Sequence, residues 1–293
     1  MKVFVTGASG WVGSAVVDEL LRAGHAVTGL VRTDKKAEAV YAAGAQVVRG
    51  TLDDLDTLRT AAASADAVVH TAFNHEAFNG DFSKFAEAAE QDRRAIETLG
   101  AALEGSQRPL LVTSGLAGMA RGASESEAPR PGFPRQSEQA ANAARERGAR
   151  VATVRLAPSV HGIGDYGFVP MLIRAARRHG VSAYIGAGEN CWSGVHRRDA
   201  ARVYRLALEH GATQTAYHAV ADEAVPFKAI AETIGRRLGL PVQSREREHF
   251  EWFAHMAGGD MAVSSRRTRE VLGWAPMGAG LLADIDQPAY YAG

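Results

Sequence analysis

Residues 4–13 read FVTGASGWVG and place Gly7, Gly10 and Gly13 between an apolar run and a helical pattern. Gly7 permits a tight turn, Gly10 lets the backbone approach a ligand, and Gly13 lets the helix pack closely on the strand. The helix presents free N–H groups and the positive end of its dipole at this turn. Because a strand precedes the turn and a helix follows it, we predict that it binds the pyrophosphate of a dinucleotide; a glycine-rich turn without a ligand is the alternative.

The first half of the chain alternates short apolar runs with helical patterns. Strands are predicted in KVFVTG, AVTGLVR, QVVRG, DAVVHTAF, PLLVTSG and RVATVRLA. These runs are continuously apolar, which is typical of strands buried on both faces of a parallel sheet. The repeated strand–helix–strand order therefore predicts an α/β fold, a Rossmann-type doubly wound parallel sheet.

The pattern changes after Leu116, where residues 117–136 are rich in Gly, Pro, Ser and charge and predict a long surface loop. Mixed helical and strand patterns follow. We predict a dinucleotide-binding domain over residues 1–160, to which 194–221 returns. Residues 161–193 and 222–293 are predicted to form a smaller C-terminal α+β substrate lobe.

Composition narrows the class of protein. The 33 basic and 33 acidic residues cancel, so nothing favours a nucleic acid or an anionic membrane as partner. The single cysteine, Cys191, excludes an internal disulfide and is typical of a reducing compartment. No apolar run reaches the roughly 20 residues of a membrane helix, and no His or Cys spacing indicates a metal site. We expect a cytoplasmic protein that acts on a small molecule.

The residues after the second predicted strand indicate which dinucleotide is bound. NAD sites usually carry an Asp or Glu about 20 residues past the glycines, where it accepts a hydrogen bond from the ribose 2′-hydroxyl. Here that place holds Arg32, followed by Lys35 and Lys36. A guanidinium binds a 2′-phosphate that a carboxylate would repel. We therefore predict NADP, while the nearby Asp34 leaves NAD open.

With the glycine turn, Arg32, the HTAF end of the fourth strand and the VTSG end of the fifth, the chain resembles the short-chain dehydrogenase/reductase superfamily. It is most similar to the extended and atypical branches related to NAD(P)-dependent epimerases and dehydratases. The segments VRLAPSVHG, WSGVHRRDAARVYRLAL and SSRRTREVLGWAP also resemble that family, so the resemblance covers nearly the whole chain.

The resemblance implies a set of cofactor-binding residues. Gly7, Ser9, Gly10, Trp11, Val12 and Gly13 would surround the pyrophosphate, Arg32 the adenosine ribose, Leu52 the adenine, Thr71, Ala72 and Phe73 the nicotinamide ribose, and Ala157, Pro158 and Ser159 the nicotinamide. Thr113 is also predicted to bind the cofactor. Thr51 stands where the family commonly has an Asp that contacts the adenine.

The family's catalytic pair, Tyr with Lys four residues later, is absent, because none of the seven tyrosines has a Lys at that spacing. Aligning Glu138 with the family's downstream Glu puts Arg130 at the Tyr position and Pro134 at the Lys position. Ser114 matches the Ser or Thr that hydrogen-bonds the substrate oxygen.

Other groups must then assist catalysis. The candidate catalytic residues are Ser114, Tyr166 and His161, with His70 and His196 as further proton donors. Water could also supply the proton, and Arg130 or Arg135 could stabilise a developing oxyanion.

Taken with the resemblance, these features predict an NAD(P)-dependent oxidoreductase that transfers hydride to or from a small-molecule carbonyl or alcohol. The absent pair leaves a non-catalytic NADP(H)-binding redox sensor, like the NmrA-like members, as an alternative. A nucleotide-sugar epimerase or dehydratase ranks lower, since those chemistries also use the Tyr–Lys pair. The resemblance is compatible with a homodimer through a long helix at 82–104.

Overall fold

The computed structural model describes residues 1–75, 82–130, 132 and 134–292. Its strands, in chain order, are β1 (Lys2–Thr6), β2 (Ala26–Val31), β3 (Gln46–Arg49), β4 (Ala67–His70), β5 (Pro109–Gly115), β6 (Arg150–Leu156), β7 (Ser159–His161), β8 (Ser182–Ile185), β9 (Cys191–His196), β10 (Ala216–Ala219), β11 (Asp222–Pro226) and β12 (Val242–Arg245). Seven of them form one parallel sheet in the order β10-β6-β5-β4-β1-β2-β3. This sheet confirms the predicted doubly wound α/β fold.

Helices connect the strands and cover the sheet. They are α1 (Trp11–Arg22), α2 (Asp34–Ala42), α3 (Leu55–Ala63), α4 (Phe85–Ala101), α5 (Ser137–Glu146), α6 (Phe168–His179), α7 (Arg197–Glu209), α8 (Phe227–Leu238), α9 (Ala254–Ala257), α10 (Arg266–Leu272) and α11 (Leu281–Ile285), with 3-10 turns at Phe82–Lys84, Arg247–Phe253 and Pro288–Tyr291. None of the helices in the described ranges is long and apolar enough to cross a membrane.

The strands bury side chains on both faces of the sheet, as their apolar sequences predict. In β1, Val5 packs into one hydrophobic core with Leu20 of α1, whereas Phe4 packs into a second core with Leu99 of α4. Successive side chains of a strand point to opposite faces, so one strand contributes to both cores. The two cores together fix the strand ends, and thereby the edge at which the candidate site lies.

The second half of the chain contributes to two parts of the molecule. Helix α7 packs on α1, and β10 pairs with β6 at one end of the large sheet. The remaining strands form a three-stranded sheet of β11, β9 and β7 and a pair of β12 with β8. A third core, which includes Trp192 and Phe227, lies among these smaller elements.

Candidate cofactor and substrate site

The predicted site residues follow the carboxyl ends of neighbouring strands. Gly7 comes directly after β1, Arg32 after β2, and Thr71 after β4, while Ser114 is the second-last residue of β5 and Ala157 follows β6. Ligands of open α/β sheets bind outside this edge. The fold therefore gathers residues that are up to 150 positions apart in sequence along one side of the sheet.

The turn after β1 can be built only with small residues. Gly7 has a φ of +69°, and a Cβ atom on it would lie 2.7 Å from the amide nitrogen of Ala72. A Cβ atom on Gly13 would lie 2.0 Å from the carbonyl oxygen of Gly7, and the Gly10 N–H donates to that oxygen at 2.8 Å. The bare turn packs against the end of β4, as a pyrophosphate-binding turn requires. These contacts fit a dinucleotide.

Helix α1 begins at Trp11, whose side chain lies under a cation. The Trp11 indole N–H donates to the carbonyl oxygen of Val160 at 2.6 Å. The guanidinium carbon of Arg197 lies 4.1 Å from the centre of the Trp11 ring, and an Arg197 N–H donates to Ser14 Oγ at 3.1 Å. A positive charge therefore adjoins the first turn of the helix whose N-terminus would face the phosphates. Ser9 and Val12, also predicted here, are half-buried in the same turn.

The ends of β2 and β3 carry two arginines. Arg32 is exposed directly after β2, and Arg49 ends β3, in register with Val31. The Asp34 carboxylate is ion-paired with Arg49, so its charge is partly neutralised. Leu52 is buried in the core under this edge. The local charge thus favours an anion near the place predicted for the adenosine ribose.

The ends of β4 and β5 hold a half-buried cation, Arg135. One Arg135 N–H donates to the carbonyl oxygen of Thr113 at 3.2 Å, and Nε donates to Ser137 Oγ at 2.8 Å. The guanidinium carbon lies 4.3 Å from the centre of the Phe73 ring. Arg135 thus joins Phe73 to the strand end that carries Thr113 and Ser114. The side chain of Ser114 is 7 % exposed there.

A chain of buried hydrogen bonds supports Arg135. Ser137 Oγ donates to one carboxylate oxygen of Asp92, and the other oxygen lies 2.9 Å from His70 Nε2. His70 Nδ1 lies 2.8 Å from Thr6 Oγ1. Burial raises the pKa of Asp92, but the contacts with His70, the charge of Arg135 and the Ser137 hydrogen bond outweigh it and hold the pKa below its usual value. Asp92 is therefore an ionised counter-charge to Arg135.

Thr113 and Ser159, two of the predicted cofactor residues, differ in the hydrogen bonds of their hydroxyl groups. The hydroxyls of Thr113 and Tyr204 share a hydrogen bond at 2.8 Å, so the Thr113 side chain is engaged with α7 and its carbonyl with Arg135. Ser159 Oγ is buried and has no hydrogen-bond partner within the described residues. A buried polar atom without a partner is costly, and a ligand that bonds Ser159 would remove that cost. This observation also fits a bound dinucleotide.

The remaining predicted catalytic residues make hydrogen bonds with partners other than Arg135 and Ser114. The Tyr166 hydroxyl accepts a hydrogen bond from the Trp11 amide at 3.1 Å. That amide follows β1, and β4 lies between β1 and β5 in the sheet. His161 is fully buried on β7, with Nδ1 2.8 Å from an Asp284 oxygen. His196 caps α7 by accepting from the Arg198 amide. The catalytic roles of these three residues stay predictions without a contact to support them.

The positions aligned with the missing pair lie in the loop before α5. Glu138, the anchor of that alignment, stands in the first turn of α5 and bonds Arg155 of β6. Arg130 and Pro134 are both exposed. Arg135, one residue after Pro134, is the cation that turns inward. Within the described ranges, no group of three or more His, Cys, Asp or Glu is placed to hold a metal ion.

Sequence reasoning missed Asp92, Ser137 and Arg197. Asp92 lies within the long helix predicted at 82–104, and no motif in the sequence sets Ser137 or Arg197 apart. Only the fold brings them to the strand ends, since Asp92 lies 45 residues from Ser137 and Arg197 lies 183 residues from Ser14.

Comparisons with known proteins agree with this geometry. The profile of the "NAD dependent epimerase/dehydratase family" matches residues 3–220. A Schizosaccharomyces pombe protein, "Uncharacterized protein C2A9.02", is 46% identical over 300 residues that cover 99% of this chain and 100% of the relative. A Stigmatella aurantiaca protein, "4-hydroxy-2-methyl-3-oxo-4-farnesyl-3,4-dihydroquinoline-1-oxide ketoreductase", is 30% identical over 225 residues, which are 72% of this chain and 65% of that protein.

Solved structures share the fold at low sequence identity. UDP-glucuronic acid 4-epimerase from Bacillus cereus, in complex with UDP-glucuronic acid and NAD, has a TM-score of 0.74 and 16% identity. The match covers 99% of this chain and 98% of that one. At this identity the likeness concerns the fold alone.

Proposed function

Because this chain belongs to the NAD dependent epimerase/dehydratase family, we propose that it is an NAD(P)-dependent oxidoreductase acting on a small-molecule carbonyl or alcohol. The glycine turn after β1, with Arg197 beside it, would hold the pyrophosphate. Phe73 and Ser159 would lie along the nicotinamide half. When bound, the dinucleotide would supply or accept the hydride.

The observation that carries this proposal is the half-buried guanidinium of Arg135, held by hydrogen bonds and a ring contact between the ends of β4 and β5. Carbonyl reduction places negative charge on the substrate oxygen. A preorganised cation in a site shielded from water stabilises such charge strongly. Ser114, next to the Thr113 carbonyl that Arg135 contacts, can donate a hydrogen bond to the same oxygen. Water then provides the proton that completes the alcohol.

The residues that hold Arg135 in place favour a catalytic role for the protein over cofactor binding alone. A cation buried without a counter-charge is costly, and breaking a buried charge pair costs about 3–5 kcal/mol. Here Asp92, Ser137 and His70 hold and balance the cation at the strand ends. A redox sensor has no need of an oriented cation at this place. We therefore rank the sensor second.

We further propose that NADP is preferred to NAD. Arg32 stands at the end of β2, and Asp34, the nearest carboxylate in sequence, is paired with Arg49. A free carboxylate near the ribose would repel a 2′-phosphate, whereas arginine binds phosphate through paired hydrogen bonds. The arrangement favours the phosphorylated coenzyme.

Reduction is favoured over epimerisation on two grounds. The chain lacks the Tyr–Lys pair used in the epimerase and dehydratase reactions that the family resemblance implies. The Stigmatella aurantiaca relative is named a ketoreductase. Both points support a carbonyl substrate, whose identity the proposal leaves at the level of chemical class.

The test is an NADPH-oxidation assay with purified protein and a panel of aliphatic and aromatic aldehydes and ketones, with NADH in parallel. We expect turnover with at least one carbonyl class, and a Ser114→Ala variant with a lower kcat and unchanged NADPH affinity. Tight NADPH binding without turnover on any member of the panel would contradict the proposal and favour the sensor.

A further inference from the structure

Tyr166 occupies a hydrogen-bond position that the cofactor site offers to an anion. Its hydroxyl oxygen accepts from the Trp11 amide at 3.1 Å, and the two rings meet edge to face with centroids 5.9 Å apart. Trp11 is the first residue of α1, and its amide has no acceptor inside the helix. This is one of the amides that a phosphate at a helix N-terminus would use.

We propose that Tyr166 is a gate on the cofactor site, and that the pyrophosphate displaces its hydroxyl from the Trp11 amide. The inference rests on the proposed dinucleotide site. A single N–H makes one well-aligned hydrogen bond, so a phosphate oxygen and the phenol oxygen compete for it. The phenol satisfies the amide while the site is empty and leaves when the cofactor enters.

The segment that carries Tyr166 has the composition of a movable loop. Residues 162–167 read GIGDYG, and Gly162 and Gly164 have φ values of +152° and +87°. Tyr166 is 63% exposed, so few contacts besides Trp11 hold its ring. Glycine at positive φ gives the loop backbone conformations that other residues rarely adopt.

The Asp165 side chain anchors this loop to the C-terminal part of the chain. Asp165 accepts from the Tyr290 hydroxyl at 2.6 Å through one oxygen and from the Gly167 amide at 2.7 Å through the other. The anchor lies one residue from Tyr166. Loss of the Tyr290 hydroxyl should therefore loosen the position of the gate without touching the glycine turn.

The charge of Arg197 makes the exchange favourable. Arg197 stacks on the Trp11 ring at 4.1 Å and bonds Ser14, so it stays at the first turn of α1 when the phenol leaves. A neutral phenol gains little from this cation, whereas a pyrophosphate carries negative charge to it. The cofactor thus displaces the phenol from the Trp11 amide, and the hydrogen bond between the phenol and that amide is lost.

The test compares NADPH binding by wild type and Tyr166→Phe, using calorimetry for Kd and stopped-flow for the association rate. The variant lacks only the competing oxygen, so we expect about two- to tenfold tighter binding, the ratio that corresponds to one net hydrogen bond. Inorganic pyrophosphate, which can engage the turn alone, should gain in the same direction. Tyr290→Phe should show a smaller gain, and Tyr41→Phe, an exposed tyrosine on α2, should match wild type.

Unchanged NADPH binding by Tyr166→Phe would overturn this inference alone, and weaker binding would overturn it and assign the hydroxyl to holding the cofactor. Absence of binding by wild type would overturn both the inference and the proposed function. Circular dichroism and a thermal melt of each variant show that the compared proteins are folded.

Discussion

Replacing Arg135 with methionine removes the guanidinium charge and keeps a long unbranched side chain. If Arg135 stabilises charge on the substrate oxygen, kcat/KM for the best carbonyl substrate should fall about 10²- to 10³-fold, the effect of losing one preorganised oxyanion donor. The glycine turn and Arg32 are untouched. The Kd for NADPH should therefore stay within about threefold of the wild-type value, well below the tenfold change that corresponds to about 1.4 kcal/mol.

The same substitution has a predictable effect on stability. Arg135 loses its hydrogen bonds to the Thr113 carbonyl and Ser137 Oγ and its contact with the Phe73 ring. Two hydrogen bonds from a charged group, at about 1.5–3 kcal/mol each, and a cation–π contact of about 0.5–2 kcal/mol sum to roughly 4 kcal/mol or more. Urea unfolding should register a loss of that size, and the kinetic assay belongs at a temperature where the variant remains folded.

Arg130→Met is the matched control, because Arg130 occupies the aligned Tyr position, is exposed and lies on the same loop. It should retain wild-type kcat/KM. Asp92→Asn keeps the shape of the side chain and removes the counter-charge, so it should lower kcat with little effect on NADPH affinity. Full activity in folded Arg135→Met, or an equal loss in Arg130→Met, would refute the reasoning.

Two further predictions concern the choice of coenzyme and the pH dependence of stability. Arg32→Asp should reverse the ratio of Kd values for NADPH and NADH, because the new carboxylate repels the 2′-phosphate and accepts from a ribose hydroxyl; an unchanged ratio would remove the charge argument. Burial lowers the pKa of His218, whose ring lies between Ser264 and Arg155. In the unfolded chain this histidine takes up a proton at about pH 6.5. The free energy of unfolding should therefore be constant above this pH and fall below it, and the fall should be less steep in His218→Gln. Equal slopes for the two proteins in urea titrations between pH 7.5 and pH 5 would exclude His218 as the cause.

The sheet and the cofactor edge were predictable because their signals are local. Gly7, Gly10 and Gly13 lie within seven residues of one another, and the strands that the apolar runs form are four to seven residues long. Loop 117–136 was likewise readable from its Gly, Pro and Ser content. Its described residues hold no helix or strand beyond an isolated bridge from Ala123 to Val263.

The hydrogen bonds that hold Arg135 in place could not be predicted from the sequence, because they join residues that are distant along the chain. Asp92 has the charge of a surface residue, but it is fully buried, and only its pairing with His70 and Ser137 explains why. The sequence predicts Tyr166 as a proton donor but gives no sign that its hydroxyl accepts a hydrogen bond from an amide 155 residues earlier. Periodicity and motif spacing carry no information about such pairs.

Calorimetric titration of the purified protein with NADPH, beside Gly13→Ala, tests the central claim most directly. The claim predicts saturable binding at one site per chain, lost in the variant, since its Cβ atom would lie 2.0 Å from the Gly7 carbonyl oxygen and force the turn open. No heat with either NADPH or NADH, or undiminished binding by folded Gly13→Ala, would contradict it.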